Sequence, residues 1–220
     1  MGRLGLVGCL IVLVIVALIF GGWYIGTRNH LVSLDEAVNA QWGQVQNDYQ
    51  RRYDLIPNLV RTVQGYAAHE RETLNEVVQA RARVGQVNVP SGPPGTATDI
   101  TSNPQALAQY EQAQAGLSNA LSRLLVVVER YPDLKANQNF LELQSQLEGT
   151  ENRIAVERKR YNDVARDYNV ATRQFPGSLV ASTSGFKPKA YFQVTNPAAN
   201  QAPEVNFGTS TTTSGTAPAK

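Results

Sequence analysis

The stretch FLELQSQLEGTENRIAVERKRYNDVARDYNVATRQF, residues 140–175, carries the most regular pattern in the chain. Phe140, Leu147, Ile154, Tyr161, Tyr168 and Phe175 recur every seven residues. Leu143, Thr150, Glu157, Val164 and Ala171 fill the intermediate seam positions. Strict seven-residue spacing implies a helix packed left-handedly, as in a coiled coil, against neighbours of similar pattern. The helix is expected to start near Asn139, with Glu142 three residues on as in a capping box, and to stop at Phe175-Pro176-Gly177.

The neighbours lie upstream. Asn103-Pro104 offers an N-cap followed by a first-turn proline. A seam follows at Leu107, Tyr110, Gln114, Leu117, Leu121, Leu124, Val128 and Tyr131, ended by Pro132. Before it, Leu31, Leu34, Val38, Trp42, Val45, Tyr49, Tyr53, Ile56, Val60, Val63 and Ala67 fall in helical steps of three and four. Asp35, Gln44, Asn47, Gln50 and Arg51 occupy the opposite face. Pro57 interrupts this run, and Asp54 just before it is a good N-cap. One helix from Leu31 to Val84 would reach about 80 Å, whereas two halves of about 40 Å match the other helices. A reversal near Tyr53–Ile56 is therefore expected; the alternative is one long kinked helix, since the apolar phase runs through Pro57 undisturbed.

Four apolar stripes and no strand-like segment predict an all-α fold, an antiparallel four-helix bundle over residues 28–192. Residues 85–103 read as a mobile Gly/Pro/Thr-rich loop, and residues 193–220 as a disordered tail poor in charge. Between them, Gly185 to Phe192 holds Phe186, Tyr191 and Phe192, which should dock on an end of the bundle.

Residues 1–27 are of another kind. Leu4 to Ile25, LGLVGCLIVLVIVALIFGGWYI, contains no charged residue and would make a helix of roughly 33 Å, enough to cross a bilayer core. It is too long for a cleavable signal, and Phe20-Gly21-Gly22-Trp23 is a poor cleavage site. Trp23 and Tyr24 fall at the headgroup layer and Arg28 in the water beyond, so these three mark the membrane interface. No proline separates the span from Leu31, which suggests a stiff stalk. The span is expected to be a single pass through the cell (inner) membrane. Arg3 and Arg28 flank the span almost evenly, so positive charge barely discriminates between the sides, and the charge-poor Thr/Ser/Pro/Ala tail favours an extracytoplasmic bundle.

Composition and motifs narrow the chemistry. Lys plus Arg number 20 against 18 Asp plus Glu, so no strong field points to nucleic acid. The single cysteine, Cys9, lies in the apolar span and leaves the rest without thiol chemistry or a cysteine metal site. His69-Glu70 invites comparison with a zinc-protease helix, but the second histidine would fall at Thr73. No catalytic set, metal site or cofactor is expected, and the chain reads as a non-enzyme. Gln114, Thr150 and Glu157 sit at bundle-facing positions, where a buried polar layer would fix helix register or line a ligand cavity. Asn162 and Asn169, one heptad apart, face one step round from the seam, towards a partner helix.

At Arg51-Arg52-Tyr53-Asp54-Leu55-Ile56-Pro57-Asn58-Leu59-Val60 the chain resembles the LemA family of bacterial membrane proteins. Supporting blocks are Tyr66-Ala67-Ala68-His69-Glu70, Tyr131 to Ala136, Leu147 to Ile154, Tyr161-Asn162, Phe175-Pro176, Gly185-Phe186-Lys187 and Tyr191-Phe192. The resemblance implies one anchor, a four-helix bundle, no established enzymatic activity, no known cofactor, and for some members specialised membranes such as magnetosomes. Arg52, Asp54, Pro57, Asn58, His69, Glu70 and Asn162, with Asn169 beside them, are the candidate interaction residues. The expected function is a membrane-anchored scaffold or adaptor contacting other envelope proteins or a second copy of itself. The alternative is an extracytoplasmic sensor holding a small ligand in the polar middle of the bundle.

Overall fold

The computed structural model describes residues 2–87 and 100–193, the side chains of 2–7 and 9 excepted. Among these residues all regular structure is helical. Helix α1 spans Gly2–Tyr66, α2 Arg71–Gln86, α3 Pro104–Val128, α4 Pro132–Lys135, α5 Gln138–Arg173 and α6 Gly177–Ser184, with a 3₁₀ turn at Ile100–Ser102. Most of the expected mobile loop and nearly all of the expected tail, residues 88–99 and 194–220, lie outside the described residues.

The expected reversal at Tyr53–Ile56 does not occur. Pro57 lies inside α1, which runs on for nine further residues to Tyr66, and the chain turns at Ala67–Glu70. Two things permit this. Proline has no N–H to give the carbonyl four residues back, here that of Tyr53. Arg81 of α2 supplies the missing donor, its Nε lying 3.1 Å from the Tyr53 carbonyl oxygen. The Arg81 guanidinium also sits 3.7 Å from the Tyr53 ring centroid, a cation–π contact. The second reason is length: α5 has 36 residues, so a helix extending from Leu31 to Tyr66 is matched to it along its whole span. Asp54 is consequently no N-cap; it is exposed in mid-helix and accepts a bond from Gln50 at 2.9 Å. Arg81→Met should strand the Tyr53 carbonyl and destabilise the fold by about 1–3 kcal/mol in chemical denaturation.

Helix α5 starts two residues earlier than a cap at Asn139 implies, capped instead by the Asn137 side chain, which accepts from the Phe140 N–H at 3.1 Å. Helix α3 is capped by Asn103 as expected. Cross-contacts between α1 and α5 descend one helix as they climb the other: Gln41 with Glu157, Asp48 with Arg153, Tyr66 with Asn137. Helix α2 packs on α3.

The interior divides into three apolar clusters. Ile56, Leu59 and Val63 meet α2, α3 and Phe140 at the end far from the N-terminus. Val38, Trp42, Tyr49, Tyr110, Tyr161, Tyr168 and Phe192 form an aromatic middle. Leu31 with Val180 and Ala181 of α6 closes the near end, with Tyr24 packed against it. The turn from α5 into α6 is tight enough to require glycine: a Cβ on Gly177 would lie 2.0 Å from the Ala171 carbonyl oxygen.

The first part of α1 stands apart from all of this. It is one helix long and apolar enough to cross a membrane, with a mean hydropathy of 2.4 over its best window. Its described side chains from Leu10 to Phe20 are exposed; Leu18 is 71% exposed and Phe20 64%.

Candidate functional site

Two polar features occupy the aromatic middle. The first centres on Arg52, whose side chain is among the largest fully buried ones in the fold. The pattern places it there: the buried steps of α1 run Val45, Tyr49, Arg52, Ile56, Leu59, so the seam passes through Arg52 and leaves Tyr53 half-buried. Its guanidinium donates to Ser118 Oγ at 2.8 Å, to Glu151 Oε2 at 2.5 Å and to Gln114 Oε1, and lies 5.2 Å from the Tyr49 ring centroid. Glu151 is itself 53% exposed, so a buried cation is neutralised by a carboxylate at the surface.

Beside this cluster is a cavity of about 520 Å³ whose walls include Tyr49, Arg52, Glu111, Gln114, Glu151 and Arg158. Two guanidiniums and two carboxylates thus face one space between α1, α3 and α5. Burial raises the Glu111 carboxyl above its ordinary value, against the opposing pull of Arg158 2.5 Å away. Burial likewise raises Tyr110, and pushes Tyr49 up to about 12. The fold therefore prefers the neutral Tyr49 phenol. Its contribution to stability is whole below pH 10 and is lost as pH rises through about 12, so alkaline unfolding should begin in that window and shift in Tyr49→Phe.

The expected polar layer is dispersed over different levels. Gln114 joins Arg52. Thr150 is buried but bonds back to the Gln146 carbonyl of its own helix at 2.7 Å. Glu157, about 10 Å further along α5, accepts from Gln41 at 2.6 Å and pairs with Arg160. Each residue thus answers to its own neighbours.

The second feature is a strap. Residues 185–193 leave α6 without regular structure and run back along α5. Asn169 accepts from the Lys189 N–H at 2.8 Å and donates to the Lys189 carbonyl at 2.9 Å. One heptad earlier, Asn162 holds the Phe192 N–H and carbonyl at 2.9 and 3.0 Å in the same two-handed way. The Tyr168 and Tyr161 hydroxyls donate to the carbonyls of Lys187 and Ala190. The match is metric: seven helical residues rise about 10.5 Å, and three extended residues cover about 10 Å. These asparagines therefore grip the chain's own backbone, which corrects the expectation of a partner helix. Asn169→Ala should strand the Lys189 peptide groups and cost about 1–3 kcal/mol, with faster hydrogen exchange at the Lys189 amide.

The strap delivers Lys189, a buried cation, to Asp35 of α1 at 2.8 Å and to Thr101 Oγ1 at 3.0 Å. Asp35, expected on the solvated face, is 7% exposed. The strap also stacks Phe192 on Trp42, ring centroids 5.8 Å apart.

The remaining family-motif residues are scattered. Asn58 is exposed and accepts from Arg61 at 2.6 Å. His69 is exposed in the α1–α2 turn. Glu70 accepts from the Tyr131 hydroxyl at 2.9 Å and pairs with Arg130 at 3.1 Å. Trp23, Tyr24 and Arg28 lie on α1 just before the near-end cluster. Among the described residues, no three His, Cys, Asp or Glu side chains are grouped to hold a metal ion.

The LemA family profile matches residues 41–207. Magnetosome protein MamQ 2 of Paramagnetospirillum magneticum is 29% identical over 175 residues, covering 75% of this chain and 64% of the relative. Magnetosome protein MamQ of Magnetospirillum gryphiswaldense is 29% identical over 174 residues, 74% of this chain and 64% of that protein. Protein LemA of Metamycoplasma hominis is 24% identical over 170 residues, 77% of this chain and 70% of its own length. The chain thus spans somewhat under two thirds of the two magnetosome relatives.

Proposed function

Because this chain belongs to the LemA family, we propose that it is a single-pass, membrane-anchored antiparallel four-helix bundle that acts as a non-catalytic scaffold or adaptor. The observation that carries this reading is the unbroken course of α1 from its unpacked apolar end to Tyr66. A helix shared by span and bundle fixes the bundle's orientation at the membrane, which a scaffold needs and a freely tethered domain lacks. The magnetosome relatives support a role at a specialised membrane. The low-charge tail favours an extracytoplasmic bundle on the inner membrane.

The test is photo-crosslinking of the full chain in its native membrane, from exposed apolar positions such as Val126 and Leu141. Discrete adducts with envelope proteins or with a second copy are expected. Glycines inserted after Thr27 should scramble those adducts without releasing the protein from the membrane. A chain that crosslinks to nothing would contradict the scaffold reading.

The cavity beside Arg52 supports a second reading, in which the bundle senses a small polar ligand that competes with Glu151 for the buried guanidinium. Thermal shift against amino acids, inorganic phosphate and divalent metals should then show stabilisation that Arg52→Met removes. An inert cavity would leave the scaffold reading alone.

A further inference from the structure

The near end of the helical body carries a second apolar feature that the span does not explain. Leu4 to Trp23 is 20 residues, about 30 Å of helix, so Trp23 falls at the edge of the hydrocarbon core. The ring of Phe175, in the turn between α5 and α6, lies 6.2 Å from that of Trp23 and is therefore at the same level. Phe175 is 81% exposed, the most exposed of the large apolar side chains among the described residues. Leu179, on α6, is 52% exposed. Helix α6 is held against α1 by two contacts, one beside Trp23 and one about 12 Å further along α1. The Tyr24 hydroxyl meets Thr183 and Ser184 at 3.0 and 3.1 Å, and Val180 and Ala181 pack on Leu31. A groove of about 510 Å³ opens between α1 and the turn, with Trp23, Gly26, Ala171 and Phe175 in its walls.

Charge at this end has one sign. Residues 4–34 and 168–188 contain no Asp or Glu, yet include the exposed cations Arg28, Arg173 and Lys187. Arg28 stands about 7.5 Å beyond Trp23, at the depth of phosphate groups. An apolar tip at the core edge beneath a ring of cations is the arrangement by which interfacial segments bind anionic lipid.

We propose that the α5–α6 turn and α6 form an interfacial foot. Phe175 and Leu179 sink into the headgroup layer of the bilayer that α1 crosses, and Arg28, Arg173 and Lys187 contact its anionic lipids. This rests on the membrane-spanning reading of α1. It replaces the picture of a body raised on a bare stalk with one whose near end sits on the lipid at two points.

The test uses the full chain, with Cys9→Ser, in vesicles of phosphatidylcholine and phosphatidylglycerol with acyl chains brominated near the headgroup or near the chain end. A polarity-sensitive fluorophore is attached at Gln174→Cys, beside the foot, at Val126→Cys, far from it, or at Val14→Cys, within the span. At Gln174→Cys, headgroup-level bromine should quench the label at least about twofold, and little quenching should occur at Val126→Cys. Adding Phe175→Asp with Leu179→Asp should abolish the Gln174 quenching while Val14→Cys stays quenched by deep bromine. If Gln174→Cys behaves like Val126→Cys while Val14→Cys is quenched, the foot is refuted and the span stands. If Val14→Cys is also unquenched, the span fails and the foot with it.

Discussion

Replacing Asp35 with alanine is expected to destabilise the fold by about 3–5 kcal/mol, measured by chemical denaturation followed by tryptophan fluorescence. Lys189 is almost completely buried, and Asp35 is its counter-charge at 2.8 Å. The Thr101 hydroxyl at 3.0 Å and the Tyr168 ring, 5.7 Å away, also meet the Lys189 ammonium. Neither is a charge. A desolvated cation with no anion costs far more than a lost surface pair. The strap should therefore leave its groove, and residues 185–193 should become the first site of limited proteolysis. The double variant Asp35→Leu with Lys189→Met separates the cause. It removes both charges and fills their space, so it should recover most of the loss. Equal damage in the single and double variants would show that shape, not charge, matters at this point.

Trp42→Ala should have an effect of similar size, about 3–5 kcal/mol, through a different cause. Trp42 lies 5.9 Å from the ring centroids of both Tyr110 and Tyr161 and stacks on Phe192. One side chain thus joins α1, α3, α5 and the strap. Its removal opens a cavity that the surrounding rigid rings cannot collapse to fill. Trp42→Phe should lose much less, because it preserves an aromatic face for Phe192. Near-UV circular dichroism should lose its fine structure in the alanine variant and keep it in the phenylalanine one, while far-UV helicity persists in both.

What could be read from the sequence follows from what leaves a periodic trace. The seven-residue seam from Phe140 onwards and the stripe from Leu31 onwards lie on helices, because a helix that buries one face must repeat. The apolar start of α1 is equally plain. Pro57 misled because its consequence depends on a residue 28 positions away: nothing near Tyr53 in sequence shows that Arg81 will take its free carbonyl. Residue type puts Asp35 on the polar face and makes Arg52 a candidate for interaction, although steps of three and four pass through both, from Tyr49 to Ile56 and from Leu31 to Val38. Their partners, Gln114, Glu151 and Lys189, come from distant segments. The strap has no periodicity of its own. Its trace is on the other side of the contact, in the repeated Tyr-Asn pair at 161–162 and 168–169. A surface-facing amide one heptad from another is the signal that a backbone lies along the helix.

Helix α1 runs unbroken through Pro57 and carries its apolar start into the helical body. The direct measurement is a pulsed electron-spin distance between labels at Gln44→Cys and Gln64→Cys, both exposed, in the full chain with Cys9→Ser in lipid nanodiscs. A helix continuous through Pro57 predicts a separation of about 30 Å, set by 20 residues of rise. A distribution centred near 10 Å would mean that the chain reverses before Pro57, the spacing of two helices packed side by side, and would contradict the shared rod.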